Sequence, residues 1–84
     1  MKTIKLSEYN TSMGILIDVR NKYDYNKNKT PNSINIPKDE LVFNHEKYLN
    51  KNSKYFLICE SGYKSRAACN ILSIYGYNVV NVIK

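Results

Sequence analysis

Seven consecutive residues, Cys59-Glu60-Ser61-Gly62-Tyr63-Lys64-Ser65, bring together a thiol, two serine hydroxyls, a glycine and an ammonium group. What flanks them decides which chemistry is open to them. Tyr55-Phe56-Leu57-Ile58, just before, is an apolar run of the length and type of a buried strand. Just after, Ala67, Ala68, Ile71, Leu72 and Tyr75 recur at spacings of one, three and four, which predicts one apolar helix face. Ser65 is the expected N-cap of that helix. A cysteine that ends a strand and faces a helix N-terminus meets unpaired backbone N–H groups and the positive end of the helix dipole. Such groups stabilise a thiolate and bind anions. The stretch therefore reads as a nucleophilic Cys59, with Glu60, Ser61, Gly62, Tyr63, Lys64 and Ser65 forming an anion-binding loop. The plainer reading is a buried structural cysteine at a strand end.

The second thiol, Cys69, follows two alanines inside the predicted helix and reads as a small buried hydrophobe. A disulfide between a strand end and a position more than a turn into the next helix is not expected, and in a reducing compartment both thiols stay free. Two cysteines ten apart and the lone His45 do not make a zinc ligand set, so no metal is expected. His45, on a short polar helix, reads as a surface residue.

Eighty-four residues suit one domain spanning 1–84. A chain of this size buries roughly 60–70% of its unfolded surface, enough for a modest core. No apolar run approaches the roughly 20 residues needed to span a bilayer. The start, MKTIKLSEYN, has no apolar segment of the signal-peptide type, so a cytoplasmic protein without membrane contact is expected. The net charge of +6 invites a nucleic-acid reading. However, eleven of the thirteen basic residues are lysines scattered along the chain, with no arginine-rich run. They read as solvated surface with at most a weak preference for anions, and no nucleic-acid partner is expected.

The elements that must position the loop follow in order. Lys2 to Leu6 alternates and predicts a first strand. Ser7 caps a short helix over roughly Glu8 to Ser12, ended by Gly14. Ile15 to Val19 is a second strand, apolar on both faces as in a covered parallel sheet. Asn21 caps a helical turn holding Tyr23, Asp24 and Tyr25. The stretch from Asn26 to Asn32, with Pro31, is a loop. Ser33 to Ile36 is a third strand, Lys38 to Phe43 and His45 to Leu49 are short helices, and Asn50 to Lys54 is a turn. After the fourth strand and the long helix, Gly76 is a C-terminal cap and Val79 to Ile83 the last strand. Strands alternating with helices predict an α/β domain with a mostly parallel five-stranded sheet and helices on both faces. Ligands of such sheets bind beyond the carboxyl ends of the strands, where Asp18-Val19-Arg20 and Cys59 both fall.

Two motifs stand together in this arrangement. One is Asp18-Val19-Arg20 followed by Asp24-Tyr25, Pro31 and Asn35-Ile36-Pro37. The other is Cys59-x-x-Gly62-x-Lys64-Ser65. Together they resemble the rhodanese-like family in its single-domain sulfurtransferase form, and the similarity covers nearly the whole chain. The family pattern Gly-His-Ile-Pro-Gly-Ala is replaced here by Asn28-Lys29-Thr30-Pro31-Asn32-Ser33. Asparagine at Asn28 and Asn32 is tolerable where the family's glycine is needed for a left-handed conformation. Lys64 stands where the family often has Arg, keeping the charge but not the two-pronged donor. Glu60 stands where many active members have a basic or neutral residue.

The resemblance implies a three-layer rhodanese-like fold. It also implies that Cys59 takes a sulfane sulfur from a small anionic donor such as thiosulfate or a persulfide. Cys59 would hold it as a persulfide and pass it to a thiol, cyanide or protein acceptor, with no cofactor and the protein acting as a monomer. Glu60 is expected to point outward, Lys64 to attract the donor, and Tyr63 to form a rim. Asp18 and Arg20 read as structural support: Asp18 bracing the loop by accepting its N–H bonds, Arg20 pairing with Asp24 four residues on. Cysteine-dependent phosphatases use Cys-x5-Arg, but the sixth residue after Cys59 is Ser65 and Arg66 comes one later. In the superfamily that the chain resembles, the shorter loop goes with sulfur rather than phosphate. A binding or regulatory module that does not turn over is the alternative from another class.

Overall fold

The alternation of apolar runs with cappable polar segments is realised, in a computed structural model describing residues 2–84, as five strands and four α-helices among the described residues. The strands are β1 (Thr3–Lys5), β2 (Ile15–Asp18), β3 (Ser33–Asn35), β4 (Lys54–Ile58) and β5 (Asn78–Ile83); the helices are α1 (Lys22–Lys27), α2 (Lys38–Phe43), α3 (His45–Tyr48) and α4 (Tyr63–Ile74). They form one sheet in the order β1-β5-β4-β2-β3, and every pairing is parallel. The register sets Asp18 opposite Ile58 and Asn35, and Leu57 opposite Asn81. From β2 the chain moves to β3 on one side; from β4 it moves to β5 on the other. The β2–β4 boundary is therefore the switch point of the sheet, and the loops leaving both strands open beyond it.

Strand alternation divides the core into two layers. Ile17, Val19, Tyr55, Leu57, Cys59 and Val79 face α2, α3 and α4, where they meet Leu41, Leu49, Ala68, Cys69 and Leu72. Leu16, Phe56, Ile58, Val80 and Val82 face the other way and are covered by Ile4, Leu6, Tyr9 and Met13. Removing a fully buried side chain such as Leu57 or Leu72 costs about 2–5 kcal/mol through lost burial and the cavity left behind.

The expected helix over Glu8 to Ser12 is absent. A 3-10 turn at Leu6–Glu8 stands in its place, closed by the Lys5 N–H donating to Glu8 Oε1 at 2.7 Å. Asn10 then accepts the Ser12 N–H, a local turn that competes with helix. This irregular path drops Leu6, Tyr9 and Met13 onto the sheet, where Tyr9 tilts against Phe56. The Asn21 cap forms as expected, its side chain accepting the Asp24 N–H at 2.8 Å. Asn32 takes a left-handed φ of 64°, whereas Asn28, at φ −155°, is extended and did not need a glycine substitute. His45 is not a plain surface residue. It is half-buried, stacks on Tyr75 and lies 2.7 Å from the Tyr77 hydroxyl, tying α3 to the end of α4 and the start of β5.

α4 differs from expectation in start and in face. It begins at Tyr63 with Gly62 as N-cap, so Ser65 lies inside the first turn and is not the cap. Its buried residues are Ser65, Ala68, Cys69 and Leu72, while Tyr75 is half-exposed. The polar Ser65 faces inward because it has partners there.

Candidate active site

Gly62 turns the chain from β4 into α4. Its φ of 83° lies in the left-handed region, and a Cβ there would sit 3.2 Å from Ile83 Cγ2. A glycine cap has no side chain to satisfy the first-turn N–H groups. The Ser65 N–H is met instead by the thiol, donating to Cys59 Sγ at 3.2 Å, and the Tyr63 N–H donates to Ser61 Oγ at 3.3 Å. Cys59 thus does the capping that the sequence assigned to Ser65. Its sulfur lies at the positive end of a 12-residue helix. The Ser65 hydroxyl lies 3.4 Å from the same sulfur, 3.2 Å from the Gly62 carbonyl and 2.6 Å from Asn81 Oδ1. Cys59 is only 3% exposed, so a reagent must approach through the loop.

Glu60, Ser61, Tyr63 and Lys64 are exposed and Gly62 is half-buried. Glu60 points outward as expected and pairs with Lys84 Nζ at 2.6 Å. That ammonium holds its carboxyl below the usual carboxylate range. Tyr63, 77% exposed, and Lys64 border a depression shared with Val19, Pro37 and Lys38 at the start of α2. Ser61, Gly62 and Arg66 border a second, beside Ile83. Burial pushes the Cys69 thiol up to about 12, and both cysteines are free.

Asp18 and Arg20 sit together beyond β2, with different partners from those the spacing suggested. Arg20 does not pair with Asp24. Its Nε and Nη2 grip the Asp18 carboxylate at 2.9–3.1 Å, and Nη2 also donates to the Asn28 carbonyl at 2.7 Å. Asp18 does not take N–H bonds from the Cys59 loop. It accepts the Arg20 N–H and the Thr30 hydroxyl, the latter at 2.7 Å. The reason is reach: both carboxylate oxygens are already occupied by groups from the segment between β2 and β3. This ion pair raises Arg20 further above its ordinary value, chiefly through the side-chain hydrogen bond to Asp18. Asn35 completes the brace, its Nδ2 donating to the Asp18 and Arg20 carbonyls at 2.9 Å each.

Sequence reasoning gave no role to Thr30, Asn35 or Asn81, although Asn35 stood in the Asn35-Ile36-Pro37 motif. Asn81 also carried a signal: a single polar residue in the apolar run Val79-Val80-Asn81-Val82 of a strand covered on both faces must find a partner or leave a buried group unpaired. Among the described residues no group of three or more His, Cys, Asp or Glu side chains is arranged to hold a metal ion. No helix there is long and apolar enough to cross a membrane.

An all-parallel α/β sheet with a cysteine capping the helix at its switch point defines a class of small α/β thiol domains. The profile of the Rhodanese-like domain family matches residues 4–84, and the chain belongs to that family. It is 38% identical, over a 96-residue alignment covering 96% of its length, to the adenylyltransferase and sulfurtransferase UBA4 of Debaryomyces hansenii. It spans about a fifth of that relative's length, 21%. Among solved structures it is similar to a rhodanese-related protein of Thermoplasma volcanium, with 34% identity, a TM-score of 0.86, and 99% and 84% of the two chains covered. It is also similar to a rhodanese with anions from E. coli, with 33% identity, a TM-score of 0.71, and 80% and 81% covered.

Proposed function

We propose that this chain is a sulfurtransferase in which Cys59 carries the sulfur. The observation that carries the reading is the Ser65 N–H directed at Cys59 Sγ at 3.2 Å, at the N-terminus of α4. The Cys59 thiolate attacks the outer sulfur of a donor such as thiosulfate. A new S–S bond forms, the donor's S–S bond breaks, and sulfite leaves with its electron pair. The persulfide anion is stabilised by the first-turn N–H groups and the helix dipole. A thiolate or cyanide then attacks the terminal sulfur, and Cys59 leaves as thiolate. No oxidant is needed. Lys64 and Arg66 attract the anionic donor at the rim, and Glu60, held by Lys84, stays turned away from the sulfur. Asp18 and Arg20 support the neighbouring loop and take no part in bond exchange. A domain spanning 1–84 in the cytoplasm and acting as a monomer fits this reading.

Intact mass after incubation with thiosulfate or an organic persulfide tests it. The expected result is a gain of one sulfur atom, removed by cyanide and absent in Cys59→Ala. Failure of every donor to load the folded wild-type protein would sink the reading and leave a binding module.

A further inference from the structure

Asn81 lies fully buried in β5, and its Nδ2 is a buried donor with no hydrogen-bond partner among the described residues. Its other end, Oδ1, meets Ser65 Oγ at 2.6 Å, and Ser65 Oγ lies 3.4 Å from Cys59 Sγ. The three side chains form a line from the sulfur into the sheet. A serine hydroxyl has one hydrogen and can donate in only one direction. With Oδ1 facing it, the hydroxyl donates to Asn81 and turns a lone pair to the sulfur. That suits a thiol, whose S–H donates to Oγ, and opposes a thiolate. A half-turn of the amide about its Cβ–Cγ bond places Nδ2 on Ser65 Oγ. Nδ2 then donates to the hydroxyl, and the hydroxyl hydrogen, released from Asn81, has the Gly62 carbonyl at 3.2 Å and the sulfur at 3.4 Å as acceptors, of which the charged thiolate is the stronger. The half-turn also gives the unpaired donor a partner and leaves a carbonyl under-bonded, which is the better tolerated of the two.

We propose that Asn81 is a positioning residue for Cys59. Its amide turns over as the thiol becomes a thiolate, and it acts through the Ser65 hydroxyl. This rests on the reading of Cys59 as the nucleophile. The proton leaves to solvent buffer, and no bond between heavy atoms changes. The charged and titratable groups on the loop and the elements around it are Asp18, Arg20, Asp24, Lys27, Lys38, Asp39, Glu60, Tyr63, Lys64, Arg66, Lys84 and the Cys69 thiol. All are kept in the variants below.

The test is the pH profile of Cys59 alkylation by iodoacetamide in wild type, Asn81→Leu, Ser65→Ala and the double variant, with peptide mapping to separate Cys59 from Cys69. In the wild-type background Asn81→Leu should move the profile to higher pH and slow alkylation at neutral pH about three- to tenfold. In the Ser65→Ala background the same change should alter the rate less than about twofold. Equal effects in both backgrounds, or none in either, in variants that still unfold cooperatively, overturn the proposal. If Asn81→Leu does not fold, the near-isosteric Asn81→Asp replaces it. When ionised it offers only acceptors, so it should shift the profile upward, and further with Ser65 present than with Ser65→Ala; equal shifts overturn the proposal. Sulfur loading followed in parallel separates the two readings. A wild type that alkylates as expected yet loads no sulfur defeats the sulfurtransferase assignment and leaves the relay standing on its own data.

Discussion

The loops leaving the carboxyl ends of β2 and β4 are neighbours built in opposite ways. Beyond β2, the Asp18 carboxylate accepts from the Arg20 guanidinium, the Arg20 N–H and the Thr30 hydroxyl. Both of its oxygens are in use and none of its charge is offered to a ligand. Beyond β4, the Cys59 sulfur takes one N–H bond, from a helix that supplies more donors than the loop consumes. One loop spends its polar groups on itself and becomes a brace. The other leaves a first-turn donor over, and the proposed anion binding rests on that. Burial does not separate them, since Asp18 and Cys59 are both buried. What separates them is how completely each group is already bonded.

The largest way to break this contrast is Arg20→Ala. It leaves the Asp18 carboxylate buried without its cation, which costs about 3–5 kcal/mol. Urea unfolding should show that loss, while the molecules still folded should alkylate at Cys59. A loss below about 1 kcal/mol would mean that the brace is not what holds this end of the sheet.

Cys69 sharpens the comparison, because it lies on the same helix as the Cys59 cap but among apolar side chains. Its thiol is raised to about 12 by burial, so the folded state keeps a proton that the unfolded chain releases near pH 9. The unfolded state binds fewer protons in that window, so stability is full below about pH 9 and falls as the pH climbs toward 12. Between about pH 9 and 11 the fall attributable to Cys69 should reach about 2–3 kcal/mol at most. It is read as the difference in urea midpoints between wild type and Cys69→Ala across that range. A constant difference would mean that burial does not hold the Cys69 proton in the folded state.

The smallest effect is expected at Glu60. It is exposed and paired with Lys84, so its charge is partly cancelled and screened. Its carboxyl is held below the ordinary range, so it is ionised throughout neutral pH. Glu60→Gln should change the rate of thiosulfate loading less than about threefold, and the gap should close in about 0.5 M salt. A gain of tenfold or more would place the carboxylate at the sulfur and spoil the picture of a loop with donors to spare.

Local features were legible where a few adjacent residues decide them. The strand Tyr55 to Ile58, the Asn21 cap and the left-handed Asn32 each rest on bonds or sterics within a few positions. The helix over Glu8 to Ser12 was misread because a tertiary demand, covering Phe56 and its neighbours, outweighed a local cap signal. The partners of Arg20 were misread because helical i,i+4 spacing was applied to a residue that precedes its helix.

By itself the sequence determined that a cysteine would end a buried strand and meet a helix N-terminus, since strand, glycine turn and helix are contiguous in the chain. Only the tertiary structure decided that the sulfur caps that helix in place of Ser65, and that Thr30 and Asn35 complete the Asp18 brace. It also decided that Asn81 lies behind Ser65. Those contacts join residues twelve or more apart, except the sulfur cap itself. They exist only once the register of β2, β3, β4 and β5 is set, and register is chosen by burial on both faces of the whole sheet rather than by any one segment.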